Sequence, residues 1–371
     1  MASTASGTVT IPDLFESFLS QRPTINPHYV QVQEECMDWV SEMCGHTPEE
    51  KLRFRKAELG YYTAIAYPYA DPAKLRTVTD NVVWAVMFDD GHDDGLFGDE
   101  KGKAAKYIDS VISVLGDQEV RPEDIDRTKE PCRYILATIR QRMKDNANIT
   151  EGACQRFLKR EKAYLESLPD ATNFQPSATL EESIKRYLPL RLLNASVLPM
   201  FSLLEYCYDL QIPDHVFEHP AFIEIERVGV EMQMLANDIY SCHRERERDS
   251  GFPCNIIHLY MHHGLSEQAA YDETHAYIRN LYKRWYLALA DLPIFGEKVD
   301  KDIHTYITGI KDITLANLVW SFYTERYFGK DAETVRKTRV LKVDRSKEDW
   351  LQGIPVMGEI EALMKGKSSE S

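Results

Sequence analysis

The sequence predicts an all-α fold, a single bundle of helices, and three observations carry this. Apolar residues recur at spacings of three and four along most long segments, the mark of helices with one buried face. Glycine and proline are modest, at 18 and 17 of 371 residues, and no stretch alternates in the manner of a strand-rich half. In chain order, helices are expected over 29–44, 50–66 and 72–89, with Pro68 separating the second from the third and Gly91 to Gly98 ending the third. Further helices are expected over 101–115, 129–145 and 150–168 and, beyond the break from Pro169 to Pro176, over 178–208. Pro213 precedes the remaining group, over 219–247, 253–262, 266–291 and 298–327.

Nothing in the composition marks a domain boundary, since there is no low-complexity linker and no internal repeat. One helical domain over 13–330 is expected, between a flexible tail, 1–12, and a charged tail, 331–371. In the second tail, Trp350, Leu351 and the stretch Ile354 to Met364 predict a short helix.

The formal charge is -15, from 44 basic and 59 acidic residues, which disfavours nucleic acid and anionic membrane as partners. An anionic substrate would have to be met by metal ions or local arginines. Seven cysteines, odd in number and without a CxxC pair, argue against a disulfide framework or structural zinc. Residues 1–12 lack the basic and apolar regions of a signal peptide, and no apolar run approaches the roughly 20 residues of a membrane span. A cytoplasmic protein without stable membrane insertion is expected, a monomer or a homodimer.

Two segments carry chemistry. The first, Trp84-Ala-Val-Met-Phe-Asp-Asp-Gly-His-Asp-Asp94, ends an apolar helix in four aspartates. Asp89 and Asp93 are four apart and share a helix face, where hard carboxylate oxygens can bridge magnesium ions that also hold a diphosphate. In so acidic a chain a DDxxD pattern arises by chance about once, so alone it identifies little.

The second segment, Leu235-Ala-Asn-Asp-Ile-Tyr-Ser-Cys-His-Arg-Glu245, sets Asn237, Ser241 and Glu245 at spacings of four and four on one helix face. An amide oxygen, a hydroxyl and a carboxylate suit magnesium, which keeps several waters and takes other ligands from phosphate. Arg244 lies beside them as a diphosphate donor. A match to NDxxSxxxE arises by chance in only about a few per cent of chains this long, so this segment is the more specific of the two.

Together the two segments resemble the aspartate-rich and NSE motifs of class I terpene synthases. Two further positions extend the resemblance: Arg191 lies 46 residues before Asn237, where microbial members have a diphosphate-sensing arginine, and Arg326-Tyr327 begins 81 residues beyond Glu245, where an Arg-Tyr pair is expected. Tyr67-Pro-Tyr-Ala-Asp71 looks like the YPxAD segment of fungal sesquiterpene synthases, and the resemblance runs from about Tyr67 to Phe328. Arg244 stands where the family often has lysine, which changes a point donor into a planar fork.

The resemblance implies a helical bundle around an apolar active-site cavity, with three Mg2+ ions, or Mn2+ as a substitute, held by Asp89, Asp93, Asn237, Ser241 and Glu245. It implies that Arg191, Arg244, Arg326 and Tyr327 hold the diphosphate, and that Asn194 and Ala195 follow the sensor as linker and carbonyl-presenting residues. The activity implied is ionisation and cyclisation of a linear prenyl diphosphate, farnesyl diphosphate first, to a sesquiterpene hydrocarbon or alcohol. Geranylgeranyl diphosphate, chain elongation as in a prenyl transferase, and a catalytically dead helical scaffold are the alternatives. A carbocation needs a closed, apolar cavity with aromatic faces. Trp84, Phe88 and Trp320 are the first candidates for them, with Phe322, Tyr323, Tyr61 and Tyr187 behind; Gly91 to Gly98 is the candidate lid.

Overall fold

The computed structural model describes residues 7–93, 101–116, 120–246 and 252–343, with side chains for all of these except 90–93 and 101–104. Its first half contains helices α1 (Tyr29–Cys44), α2 (Pro48–Lys56), α3 (Leu59–Ala66), α4 (Pro72–Asp93), α5 (Lys101–Ile112), α6 (Pro131–Asp145) and α7 (Glu151–Thr172). The second half continues with α8 (Leu180–Asn194), α9 (Val197–Tyr208), the short α10 (Asp214–Phe217), α11 (Pro220–Arg246) and α12 (Ile256–His262). Then come α13 (Glu267–Ala290), α14 (Glu297–Ser321), the one-turn α15 (Glu325–Phe328) and α16 (Ala332–Thr338). Strands β1 (Thr8–Thr10) and β2 (Val340–Lys342) pair antiparallel, Val9 opposite Leu341.

The core is built around α11, which is buried along most of its length and packs on α13, α14, α8 and α9. Glycines set its closest contacts. A Cβ at Gly229 would run into Ile310 and Phe201, and one at Gly309 would overlap Leu204, so α9, α11 and α14 approach nearer than larger residues allow. Local chemistry fixes where α4 begins. The Asp71 carboxylate accepts from the backbone N–H groups of Ala73 and Lys74, both at 3.0 Å, and Pro72 supplies the first helical position. The Tyr67 hydroxyl donates to the Met200 carbonyl at 2.8 Å, so the Tyr67 to Asp71 segment anchors the start of α4 against α9.

Three expected helices are each two elements. The span 50–66 divides at Glu58, whose φ is 53°, and 178–208 divides at Ser196, also at φ 53°. The span 298–327 ends at Ser321 and resumes as α15 after Thr324, which caps it by accepting from Arg326 N–H at 3.2 Å. In the opposite sense, α7 continues through Pro169 to Thr172.

The expected tail boundaries at 12 and 330 are corrected by the β1–β2 ladder. Val9, Ile11, Leu14 and Leu341 are buried, and Ile11 N–H donates to the Arg339 carbonyl at 2.7 Å, so both segments close onto the helical core. The helix expected near Ile354 to Met364 lies outside the described residues. All seven cysteines are thiols, as expected.

One stretch among the described residues, Leu180–Tyr208, is long and apolar enough to cross a membrane, where none was expected. It is α8 and α9 read as one. The chain turns between them at Ser196, and α9 is almost wholly buried against α7 and α14, so its apolar surface is spent inside the bundle.

Candidate active site

A cavity of about 210 Å3 opens between α3, α4, α7, α8, α9, α11 and α14. On α4 its wall is Asn81, Val82, Ala85, Val86 and Asp89, spacings of three and four that keep one helix face toward the cavity for two turns. On α11 the corresponding line is Gln233, Asn237, Ser241 and Glu245. Each helix therefore turns acidic or metal-competent at its C-terminal end of the cavity and neutral further in. With 1.5 Å of rise per residue, Asn81 lies about 12 Å along α4 from Asp89.

At the polar end the side chains form one connected network. Arg191, near the end of α8, donates through Nε to Asp238 Oδ1 at 3.0 Å, through one terminal nitrogen to Asn237 Oδ1 at 2.8 Å and through the other to Asn194 Oδ1 at 3.2 Å. Asn237 Nδ2 donates to the Tyr327 hydroxyl at 2.9 Å, and the Ser241 hydroxyl donates to the Asn237 carbonyl at 2.8 Å. Asn255, at the start of α12, donates through Nδ2 to the Asp238 carbonyl and to Glu245 Oε2, both at 2.9 Å. Arg244 and Arg326 also line the cavity and are only 3 % and 8 % exposed, so their charges stand at low dielectric.

Asp238 is the hub behind this surface. Its carboxylate is fully buried and accepts from the Tyr187 hydroxyl, from Arg191 and from the Ile256 N–H at 2.8 Å. Burial pushes the Asp238 carboxyl up to about 6 while Arg191 pulls the other way, so it remains ionised at neutral pH. Burial alone would lower the Arg191 guanidinium, but Asp238 and Tyr187 outweigh it and hold the group firmly protonated.

The donor set fits a divalent cation. Asn237 Oδ1, the Ser241 hydroxyl and the Glu245 carboxylate are hard oxygens two turns of α11 in extent, and Asn237 is oriented by Tyr327 and Arg191 with its oxygen on the polar side. Among the described residues no three His, Cys, Asp or Glu side chains converge on one point. A cation held by these three oxygens would need further ligands from outside the chain.

The structure brings together, in one cavity lining, Asp89, Arg191, Asn194, Asn237, Ser241, Arg244, Glu245, Trp320, Arg326 and Tyr327. The Asp93 side chain and residues 94–98 of the candidate lid lie outside what is described, while 91–93 continue α4. Trp84 and Phe88 do not line the cavity, which corrects the expectation for both. They share the other face of α4, fully buried, where Phe88 stacks on Trp84 at 5.5 Å and on Tyr107 at 5.9 Å. Tyr187 is likewise behind the wall, on Asp238, and Tyr61 packs against Tyr29 and Tyr323.

The aromatic faces that do line the cavity are Tyr62, Tyr164, Phe252, Trp320 and Tyr327. Trp320 is fixed by donating Nε1–H to the Ala57 carbonyl at 2.7 Å, and it meets Tyr62 and Tyr327 edge-on at 5.5 and 5.6 Å. Sequence reasoning missed Asp238 as hub, although it is the second letter of the NDxxSxxxE pattern, and Asn255, whose only signal is its place before the apolar run Ile256 to Tyr260. It also missed the carboxamides Asn81, Gln233 and Asn317, which no motif marks.

The chain is also similar to known proteins in sequence and in fold. The profile of the terpene synthase family 2 C-terminal metal-binding domain matches residues 80–284. The silphinene synthase of Penicillium patulum is 31 % identical over 341 residues, 91 % of this chain and 90 % of that protein. The (+)-eremophilene synthase of Gibberella fujikuroi is 33 % identical over 340 residues, 90 % of this chain and 92 % of that protein. In fold, a cucumene synthase variant and a hedycaryol synthase each superpose with a TM-score of 0.68 at 18 % identity, covering 81 % and 84 % of this chain and 98 % of their own. With the four motifs drawn into one cavity, an all-α fold and relatives matched over nine-tenths of their length, the chain belongs to the class I terpene synthases and is a terpene cyclase.

Proposed function

We propose that this cyclase takes farnesyl diphosphate, with three Mg2+ ions held by Asp89, Asp93, Asn237, Ser241 and Glu245, and releases a sesquiterpene and diphosphate. The observation that carries the reading is the meeting of Arg191, Arg244, Arg326 and Tyr327 with the Asn237, Ser241 and Glu245 oxygens at one end of a cavity whose remaining wall includes Val82, Ala85, Val86, Met200, Tyr62 and Trp320. Magnesium, when bound, supplies positive charge against the departing diphosphate. The arginines add directional donors; Asp238 holds Arg191 in place before substrate arrives, and Asn255 holds Glu245 beside Arg244. This also accounts for an anionic substrate in a chain of charge -15.

Once ionisation has occurred, the hydrocarbon lies against Val82, Ala85, Val86, Tyr62 and Trp320. These surfaces exclude nucleophiles, and the ring faces present negative quadrupole to positive charge. Two of the relatives are named as synthases of silphinene and eremophilene, and their similarity over about nine-tenths of each chain supports a substrate of the same class.

The test is incubation of purified protein with farnesyl diphosphate, with and without magnesium, and with isopentenyl diphosphate added. A cyclic fifteen-carbon product is expected that needs magnesium and falls at least about a hundredfold in Asn237→Ala and Glu245→Ala. Full product in both variants would sink the metal assignment. A longer prenyl diphosphate made only with isopentenyl diphosphate would make the protein a chain-elongating enzyme, and product from geranylgeranyl diphosphate alone would move the substrate to twenty carbons.

A further inference from the structure

Below the metal-competent end, the cavity wall carries three carboxamides in apolar surroundings, Asn81 on α4, Gln233 on α11 and Asn317 on α14. A carboxamide is a strong dipole with weak basicity, so where its oxygen points decides which carbon of a migrating cation is favoured, without abstracting a proton as a carboxylate would. Two of the three have visible anchors. Gln233 Nε2 donates to the Tyr62 hydroxyl at 2.9 Å, and Asn317 Nδ2 donates to the Gln233 carbonyl at 3.1 Å.

The third has a different neighbour. Glu161, on α7 one turn before the cavity-lining Tyr164, is fully buried, and among the described residues no basic group is paired to it. Neither of its carboxyl oxygens, nor Asn81 Nδ2, has a hydrogen-bond partner meeting ordinary geometry among the described residues. α4 and α7 meet at this level, where Trp84, one turn beyond Asn81, and Tyr164, one turn beyond Glu161, lie edge-on with ring centroids 6.4 Å apart, and the Asn81 amide acts on the carboxyl. A buried acid of this kind is costly to keep, so it calls for a physical reason.

We propose that Glu161 is a positioning residue that orients Asn81, so that the pair places one carboxamide dipole against the α4 wall of the cavity and sets the ratio of products. This rests on the reading of the cavity as the site of the prenyl chain. Burial supports the pairing, because it pushes the Glu161 carboxyl up to about 8, with Asn81 opposing, and keeps the acid neutral. A neutral acid can hold an amide from behind without setting a full negative charge near a carbocation.

The experiment compares wild type with Asn81→Leu, Glu161→Leu, Glu161→Gln and the double Leu variant, by product ratio from farnesyl diphosphate, calorimetric binding of inorganic diphosphate with magnesium, and thermal unfolding. Expected are a several-fold change in product ratio in the same direction for both Leu variants, no further change in the double variant, and a wild-type-like ratio in Glu161→Gln. Glu161→Leu is expected to unfold at or above the wild-type temperature, since it removes an unsatisfied buried acid, while diphosphate binding is unchanged. A product ratio untouched by Glu161→Leu, or additive changes in the double variant, would overturn the proposal. If wild type forms no product from this substrate, the substrate assignment fails and the pair is still decided spectroscopically. The carbonyl stretch of an un-ionised carboxyl, absent in Glu161→Gln, must shift in Asn81→Leu, and an unshifted band refutes the pairing.

Discussion

Asp238 shows how a side chain that faces no substrate governs those that do. It accepts from Tyr187, Arg191 and the first N–H of α12, and its own carbonyl accepts from Asn255, which also holds Glu245. One residue therefore ties the arginine at the end of α8 to the oxygens of α11 and to the start of α12. Replacing it with asparagine keeps the shape but strips the counter-charge from a buried guanidinium, for which a loss of about 3–5 kcal/mol is expected. Urea unfolding of Asp238→Asn measures it; wild-type stability would show that Arg191 needs no carboxylate. The motif letters were legible in the sequence because each needs a fixed chemistry at a fixed helical spacing. The support from Asp238 and Asn255 was not, because it joins helices remote in the chain.

The turn between α8 and α9 is the element on which the site depends most. Periodicity reads 178–208 as one helix because the apolar spacing persists across it, yet Ser196 adopts φ 53° and redirects the chain immediately after Arg191 and Asn194. The left-handed region is open to glycine, costs serine some strain and is resisted most by β-branched side chains. Ser196→Val is expected to cost about 1–3 kcal/mol and Ser196→Gly to be near neutral, with melting temperatures as the measurement. Equal melting temperatures would mean that the turn is not strained. The same reasoning explains Trp84 and Phe88. Their spacing from Asp89 puts them on α4 near the site, but a helix has more than one buried face, and only packing chooses the one that meets the cavity.

Across the whole molecule, the two ends of the described chain brace the far side of the active site. Thr10 exchanges hydrogen bonds with Gln268 of α13, at 2.8 and 3.1 Å, and the Arg339 guanidinium lies 4.8 Å over Phe322. Phe322 stacks on Phe328, at the end of the short helix that carries Arg326 and Tyr327. Deleting residues 1–12 removes β1 and the buried Val9 and Ile11, and a loss of about 3–5 kcal/mol is expected from the apolar surface alone. Calorimetric melting of the truncated protein tests this, together with a fall in cyclase activity; an unchanged melting temperature would make the strand pair incidental.

The sequence by itself determined the helical class, the course of the long helices though not three of their breaks, and the residues gathered at the polar end of the cavity, since these rest on periodicities and spacings that hold within a single helix or over a counted distance. Gly229 and Gly309, by contrast, had no legible role until α9, α11 and α14 were seen to cross at them. Only the tertiary structure decided which aromatic rings meet the cavity, how Asp238 and Asn255 secure the arginine and the triad, and that Glu161 stands behind Asn81. Those are properties of surfaces brought together from distant segments, and no local pattern encodes which face of a helix its neighbours will leave open.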